Sequence, residues 1–222
     1  MGNIQDFYDR WKEPYHLFSS NPVVNKWRKQ AVESMELNHG DLVADIGCGT
    51  GANVPILINN VGEKGQVICV DLSRESLQMI KERSVEMGWG NVHSLNADAT
   101  RLPFSDVQNY FASFSIGMFP NTLATVKNWC ENLDTGATIC LLNVVRGNGS
   151  SSLFDKSMDF FTGLSVPAGL SEKLETSVNG DGLDRLDHNI RSVHDYLRDN
   201  QKVLDHQERL DGYITWITVQ IK

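Results

Sequence analysis

Val43-Ala44-Asp45-Ile46-Gly47-Cys48-Gly49-Thr50-Gly51 is the stretch on which the fold turns. An apolar run ends in an acid, three glycines bend the backbone, and Ala52-Asn53-Val54-Pro55 then opens a helix. Glycine suits such a turn for two reasons. Some positions need positive φ, and others let a ligand touch bare backbone. The helix that follows points N–H groups at whatever lies above the loop, which makes an anion site. Strand, glycine turn and helix together read as a nucleotide- or nucleoside-binding loop.

Outward from this turn the chain alternates between strands and helices. Strands are predicted at about 41–46, 66–71, 91–95, 110–115 and 137–145, with helices at about 52–60, 73–87 and 121–133. Strands separated by helices of 10–15 residues argue for βαβ units and a parallel sheet covered on both faces. Before the turn, Asn21-Pro22 starts a helix to about Leu37, ended by His39-Gly40. After the fifth strand, Gly147 to Ser152 is a polar loop, 153–163 reads as a helix, and 164–182 as an irregular cap. Leu183, Leu186, Ile190, Val193 and Leu197 recur at helical spacing. Two β-like runs around Asp211-Gly212 then read as an antiparallel hairpin, with Tyr213, Thr215, Ile217, Val219 and Ile221 on one face. The division expected is a single domain over 1–222: N-terminal lid helices at 1–38, a cofactor-binding core at 39–146, a substrate cap and helix at 147–200, and the hairpin at 201–222.

The 222 residues carry a net charge of −8, which argues against a phosphate-dominated nucleic-acid surface. Cys48, Cys69, Cys130 and Cys140 form no C-x-x-C pair and read as reduced, buried cysteines. No zinc spacing is present. The N-terminus lacks a basic-plus-apolar signal, and the longest apolar run, Ala137 to Leu142, is strand-sized. The expected location is cytoplasmic.

Gly47-x-Gly49-x-x-Ala52 also satisfies the dinucleotide fingerprint. Asp45 argues against that reading, because a carboxylate beneath the loop opposes a pyrophosphate and suits a ligand with an ammonium group. Asp71, at the end of the second strand, fits a ribose by accepting from both hydroxyls, whichever ligand carries it. Asp98, in Asn96-Ala97-Asp98-Ala99, can accept from the exocyclic amine of an adenine, while Ala99 leaves room for the ring.

With these three motifs in order, the chain resembles the class I S-adenosylmethionine-dependent methyltransferases. DIGCGTG matches the glycine motif, VICVDLS the ribose-binding acid and NADAT the adenine-contacting acid. The resemblance covers about residues 40–145 and implies an α/β, Rossmann-like fold. Its seven-stranded, mostly parallel sheet would carry helices on both faces and end in the antiparallel hairpin. It implies S-adenosyl-L-methionine as cofactor. Gly47, Cys48, Gly49 and Gly51 would line the methionine moiety, with Asp45 near its ammonium. Asp71 would hold the ribose, Leu72 cover one adenine face, and Asp98 and Ala99 flank the ring. Ser113 would lie near the methyl group and the acceptor.

Phe7-Tyr8-Asp9-x-Trp11-x-x-x-Tyr15 and Leu102-Pro103-Phe104 resemble the ubiquinone and menaquinone biosynthesis C-methyltransferases. His16 and Lys12-Glu13 depart from that pattern, as does Gln108 where an acid is usual. The resemblance implies a small-molecule acceptor of quinone or lipid kind, with phospholipid-headgroup methyltransferases sharing much of the pattern. Tyr8 or Tyr15 over the sulfonium would add about 0.5–2 kcal/mol of cation–π attraction. No catalytic triad, metal motif or DNA-methyltransferase signature is present, and no catalytic base is assigned. Should the acceptor be a phenol or quinol, His16, His188 and His194 are the candidates, although the latter two share a helix face poorly. A cofactor-binding protein without activity and a nicotinamide oxidoreductase are the alternative classes.

Overall fold

In the computed structural model, the described residues are 22–104, 106–145 and 181–222. Helix α1 spans Pro22–Glu33, with proline at its first position, where a missing N–H costs nothing. Strand β1 (Leu42–Ile46) leads through the glycine turn to α2 (Val54–Val61), then β2 (Gln66–Asp71) and α3 (Arg74–Met87) follow. Ser73 caps α3 by accepting from the Ser76 N–H, and Gly88, in the left-handed conformation, ends it. β3 (Val92–Asn96) runs into a 3₁₀ turn at Ala99–Arg101, and β4 (Asn109–Ser113) into another at Ile116–Met118. α4 (Thr122–Asn132), β5 (Thr138–Val144), α5 (Asp181–Asn200), β6 (Lys202–Arg209) and β7 (Ile214–Gln220) complete the described elements.

The seven strands form one sheet in the order β3-β2-β1-β4-β5-β7-β6. The first five are parallel, while β7 pairs antiparallel with both β5 and β6. Each face carries its own apolar cluster. Ile46, Tyr110, Ala112, Val126, Trp129, Ile139, Leu141, Val193 and Leu197 fill one, on the side of α4 and α5. Val32, Val43, Val54, Leu57, Ile80, Phe111, Leu142 and Trp216 fill the other, on the side of α1, α2 and α3. Alternate residues of one strand feed opposite faces, as the two-residue period of a strand requires. This is the α/β architecture expected, with the sheet covered on both faces and an antiparallel hairpin at its end.

Two element ends differ from expectation. α1 stops at Glu33 rather than near Leu37, with Glu36 at φ 53°. Ser34 Oγ lies 2.7 Å from the Ala31 carbonyl and 2.6 Å from Thr218 Oγ1, tying the helix end to β7. β4 stops at Ser113 because Phe114 takes φ 57°, outside strand geometry. Ile214 to Val219 are all buried, because β7 lies between two strands and is covered on both sides.

The hairpin turn is where Asp211-Gly212 placed it. Leu210, Asp211 and Gly212 adopt positive φ of 51°, 52° and 89° in succession. The 1–21 part of the expected lid and the cap and helix at 147–180 lie outside the described residues. Cys48, Cys69, Cys130 and Cys140 are free and buried. Among the described residues, no helix is long and apolar enough to cross a membrane.

Candidate functional site

The strand order reverses between β1 and β4, whose chain neighbours lie on opposite sides. In an open parallel sheet this opens a crevice at the carboxyl ends of the strands, where ligands bind. Asp45 and the glycine turn, Asp71, Asp98 and Ser113 come from the ends of, or the residues just after, four adjacent strands. The topology therefore brings the expected core residues to one edge.

Gly47, Gly49 and Gly51 have φ of 67°, 52° and 82°, so each requires the left-handed region. At Gly47 a Cβ would stand 2.5 Å from Ser115 Cβ, and at Gly51 2.9 Å from Ile80 Cγ1. The protein's own packing, besides any ligand, thus excludes side chains at these two positions. The turn also spends its amides internally. Gly47 N–H and Cys48 N–H donate to the Val70 carbonyl at 2.8 and 3.1 Å, and Gly51 N–H to the Cys48 carbonyl at 3.0 Å. Gly49 N–H donates to Asp71 Oδ2 at 2.8 Å. The anion cradle expected from the sequence is therefore largely closed, since a pyrophosphate needs those donors.

Beneath the turn lies a buried polar chain. Ser113 Oγ donates to Asn53 Oδ1 at 3.1 Å, and Asn53 Nδ2 donates to Asp45 Oδ1 at 2.8 Å. Asp45 is 0 % exposed, and its Oδ2 has no hydrogen-bond partner among the described residues. Burial raises the Asp45 pKa to about 7, against the lowering effects of the Asn53 amide and the Arg28 charge, while Asp71 raises it further. Arg28 itself, on α1, is buried and sets its guanidinium 5.3 Å from the Phe114 ring centroid. Ser115 ties the end of β4 to that of β1, its Oγ donating to the Ile46 carbonyl at 2.8 Å. Asn53, Arg28, Phe114 and Ser115 were not among the expected site residues. No local motif marks them, because only the fold brings them to the turn.

Asp71 accepts from the backbone N–H of Gly49 and of Ser73, each at 2.8 Å, one on each oxygen. Burial raises its pKa, and the N–H donors of Ser73, Gly49 and Leu72 act in the opposite direction. A carboxylate has about four lone-pair sites, so Asp71 keeps acceptor capacity beyond these donors. Leu72 beside it is 60 % exposed, an apolar side chain standing in the open. Asp98 is exposed and caps the first 3₁₀ turn, accepting from the Thr100 N–H at 2.8 Å. The Ala99 carbonyl accepts from Trp129 Nε1 at 2.9 Å, which fixes this wall to α4. Cys48 is buried in the turn, and burial pushes its thiol pKa well up.

Tyr8, Tyr15 and His16 lie outside the described residues. His188 is exposed, whereas His194 is buried on α5, with Nε2 3.3 Å from Asn143 Nδ2. Burial lowers the His194 pKa to about 3, with the charges of His206, Arg198 and Arg191 adding to the effect. Such a ring is a packed neutral group and cannot serve as a base for an acceptor outside the core.

The family model for the ubiE/COQ5 methyltransferase family matches residues 5–167, well over half of the chain. The chain belongs to the ubiE/COQ5 methyltransferase family. Among relatives, the demethylmenaquinone methyltransferase of Staphylococcus saprophyticus is 32% identical over 142 residues, 63% of this chain and 58% of that protein. The demethylmenaquinone methyltransferase of Staphylococcus haemolyticus is 30% identical over 142 residues, 63% of this chain and 57% of its own. The ubiE/COQ5 member described here thus spans less than two thirds of the length of these relatives. Among solved structures, a SAM dependent methyltransferase from Aquifex aeolicus shares the fold, with a TM-score of 0.62. It is 18% identical, over 88% of this chain and 89% of its own. Family membership assigns S-adenosyl-L-methionine as the cofactor. The ubiE/COQ5 site fits that group, since a buried carboxylate oxygen with open acceptor capacity suits an ammonium.

Proposed function

We propose that this chain transfers the methyl group of S-adenosyl-L-methionine to a small lipophilic acceptor, with C-methylation of a quinol as the favoured reaction. The observation that carries the cofactor end is Asp45. It is a buried acid with an open oxygen, below a turn in which the amides of Gly47, Cys48, Gly49 and Gly51 are already occupied. That combination suits an amino-acid tail and repels a pyrophosphate, which disfavours the nicotinamide alternative. The names of the demethylmenaquinone methyltransferase relatives support the quinol. Methylation of a phospholipid headgroup is the second reading, favoured by the motif pattern shared with that group.

When bound, the cofactor supplies an electrophilic methyl on a sulfonium. The residues bind and orient it. Asp45 meets the ammonium, Asp71 the ribose hydroxyls, Asp98 the adenine amine, and Leu72 and Ala99 the ring faces. Holding acceptor and methyl at near-attack distance can supply about 7–11 kcal/mol of the barrier without a dedicated acid or base. In C-methylation of a quinol, the new carbon–carbon bond forms as the carbon–sulfur bond breaks, and the ring proton leaves to solvent or to a base. Ser113, at the end of β4, has its hydroxyl already committed to Asn53.

Calorimetric titration with S-adenosylhomocysteine and with NAD tests the cofactor, and binding of NAD alone would overturn the reading. Labelled S-adenosyl-L-methionine with reduced demethylmenaquinone, or with phosphatidylethanolamine in parallel, tests the acceptor. Label in the quinol is the expected result. Label only in the phospholipid, or binding without transfer to either, would sink the quinol proposal, the second outcome favouring a cofactor-binding protein without activity.

A further inference from the structure

Asn53 stands at the entry to α2, where an asparagine ordinarily spends its side chain capping the helix. It makes no such cap hydrogen bond. Its amide is placed between two other side chains, donating to Asp45 Oδ1 and accepting from Ser113 Oγ. Both hydrogen bonds are buried. A capping contribution is forgone, and the amide instead fixes the roll of one carboxylate.

We propose that Asn53, held by Ser113, is a positioning residue that orients the Asp45 carboxylate so that Oδ2 remains the acceptor for the cofactor's ammonium. This rests on the methyltransferase reading of the site. An ionised carboxylate only accepts, so the amide must present Nδ2 to it, and its Oδ1 then falls to the Ser113 hydroxyl. The chain has one consistent direction while Asp45 is charged. A protonated Asp45 can still accept from Nδ2 at Oδ1 with its proton on Oδ2, but a neutral acid accepts more weakly than a carboxylate does. The amide therefore stabilises the charged acid, the form that attracts an ammonium.

The groups facing Asp45 decide how this shows in pH. Arg28 from α1 favours the charged form, whereas Asp71 at the end of β2 opposes it. The Cys48 thiol in the turn, its pKa pushed well up by burial, stays neutral, and Cys69, the β2 register partner of Asp45, is buried beside it. With the acid titrating near about 7, cofactor affinity rises as pH climbs through that value. Removing the amide takes away a lowering influence, so the rise must move to higher pH.

Calorimetry of S-adenosylhomocysteine binding between about pH 5.5 and 8 tests this on the full chain, Asn53→Leu and Ser113→Ala. Wild-type affinity should increase with pH. Asn53→Leu should weaken binding about tenfold at neutral pH and shift the midpoint upward, with Ser113→Ala shifting it the same way by less. An unchanged midpoint in Asn53→Leu, even with affinity lowered evenly at every pH, would overturn the assignment, since general loosening does that. Should Asn53→Leu not fold, an unshifted midpoint in Ser113→Ala would overturn it equally. Wild type that binds S-adenosylhomocysteine at no pH refutes the methyltransferase reading itself. That outcome is distinct from a wild type that binds and a variant whose profile does not move.

Discussion

Gly47 is held by two independent constraints, a positive φ of 67° and a Ser115 Cβ that leaves no room for another. Gly47→Ala should cost about 2–4 kcal/mol, since left-handed backbone and overpacking each exact their share. Urea denaturation measures it, against a Ser115→Gly single variant as reference, since that change relieves the overlap but also loses the hydrogen bond to the Ile46 carbonyl. Asp71 is tied to the turn through Gly49 and Ser73 and, under the proposed function, also to the ribose. Asp71→Ala frees the Gly49 and Ser73 amides, so it should cost about 2–3 kcal/mol of stability. It should also lower S-adenosylhomocysteine affinity more than tenfold in calorimetry. At this scale the positive φ of the glycines and the placement of the acids at strand ends were readable, because both depend on near neighbours in sequence. Asn53 and Arg28 were not, because their roles depend on residues brought near by the sheet.

Elements join the site through single contacts. Trp129, on α4, reaches across to the carbonyl of Ala99 in the turn after β3. Tyr110 and Phe119 pack edge-on to its ring, with centroids 5.7 and 5.8 Å away. Trp129→Phe keeps the packing and loses the hydrogen bond. It should cost about 1 kcal/mol in urea denaturation, with adenine-bearing ligands bound more weakly than by wild type. The helices and strands themselves were legible from periodicity, β2 to the residue. What periodicity could not show was where an element is bent by a distant partner. α1 ends early at a serine that meets Thr218, and β4 ends early at Phe114. Nor could it show that both faces of β7 are buried, which follows from its place between two strands under helices on both sides.

Asp45 in β1 and His194 in α5 are buried titrating groups with opposite pH signs. Asp45, with a pKa of about 7 against an ordinary 3.8, favours folding fully below 3.8 and loses that contribution as pH rises through 7. His194, at about 3 against 6.5, favours folding above 6.5 and loses it as pH falls toward 3. Between about pH 4 and 6.5 the two slopes, roughly 1.4 kcal/mol per pH unit each, oppose one another. Asp45→Asn should therefore leave a chain that weakens on acidification, and His194→Gln one that weakens as pH rises toward 7. Urea midpoints across that range distinguish them, and parallel profiles in both variants would refute the opposition. The antiparallel end of the sheet bears on something else, the making of the protein. β7 is synthesised after every other described strand, yet it belongs between β5 and β6. On the ribosome, β5 must wait with one edge unpaired until β7 emerges and slots in. During translation that open edge is a surface for chaperones or for aggregation, and slow translation of the last strand would lengthen the exposure.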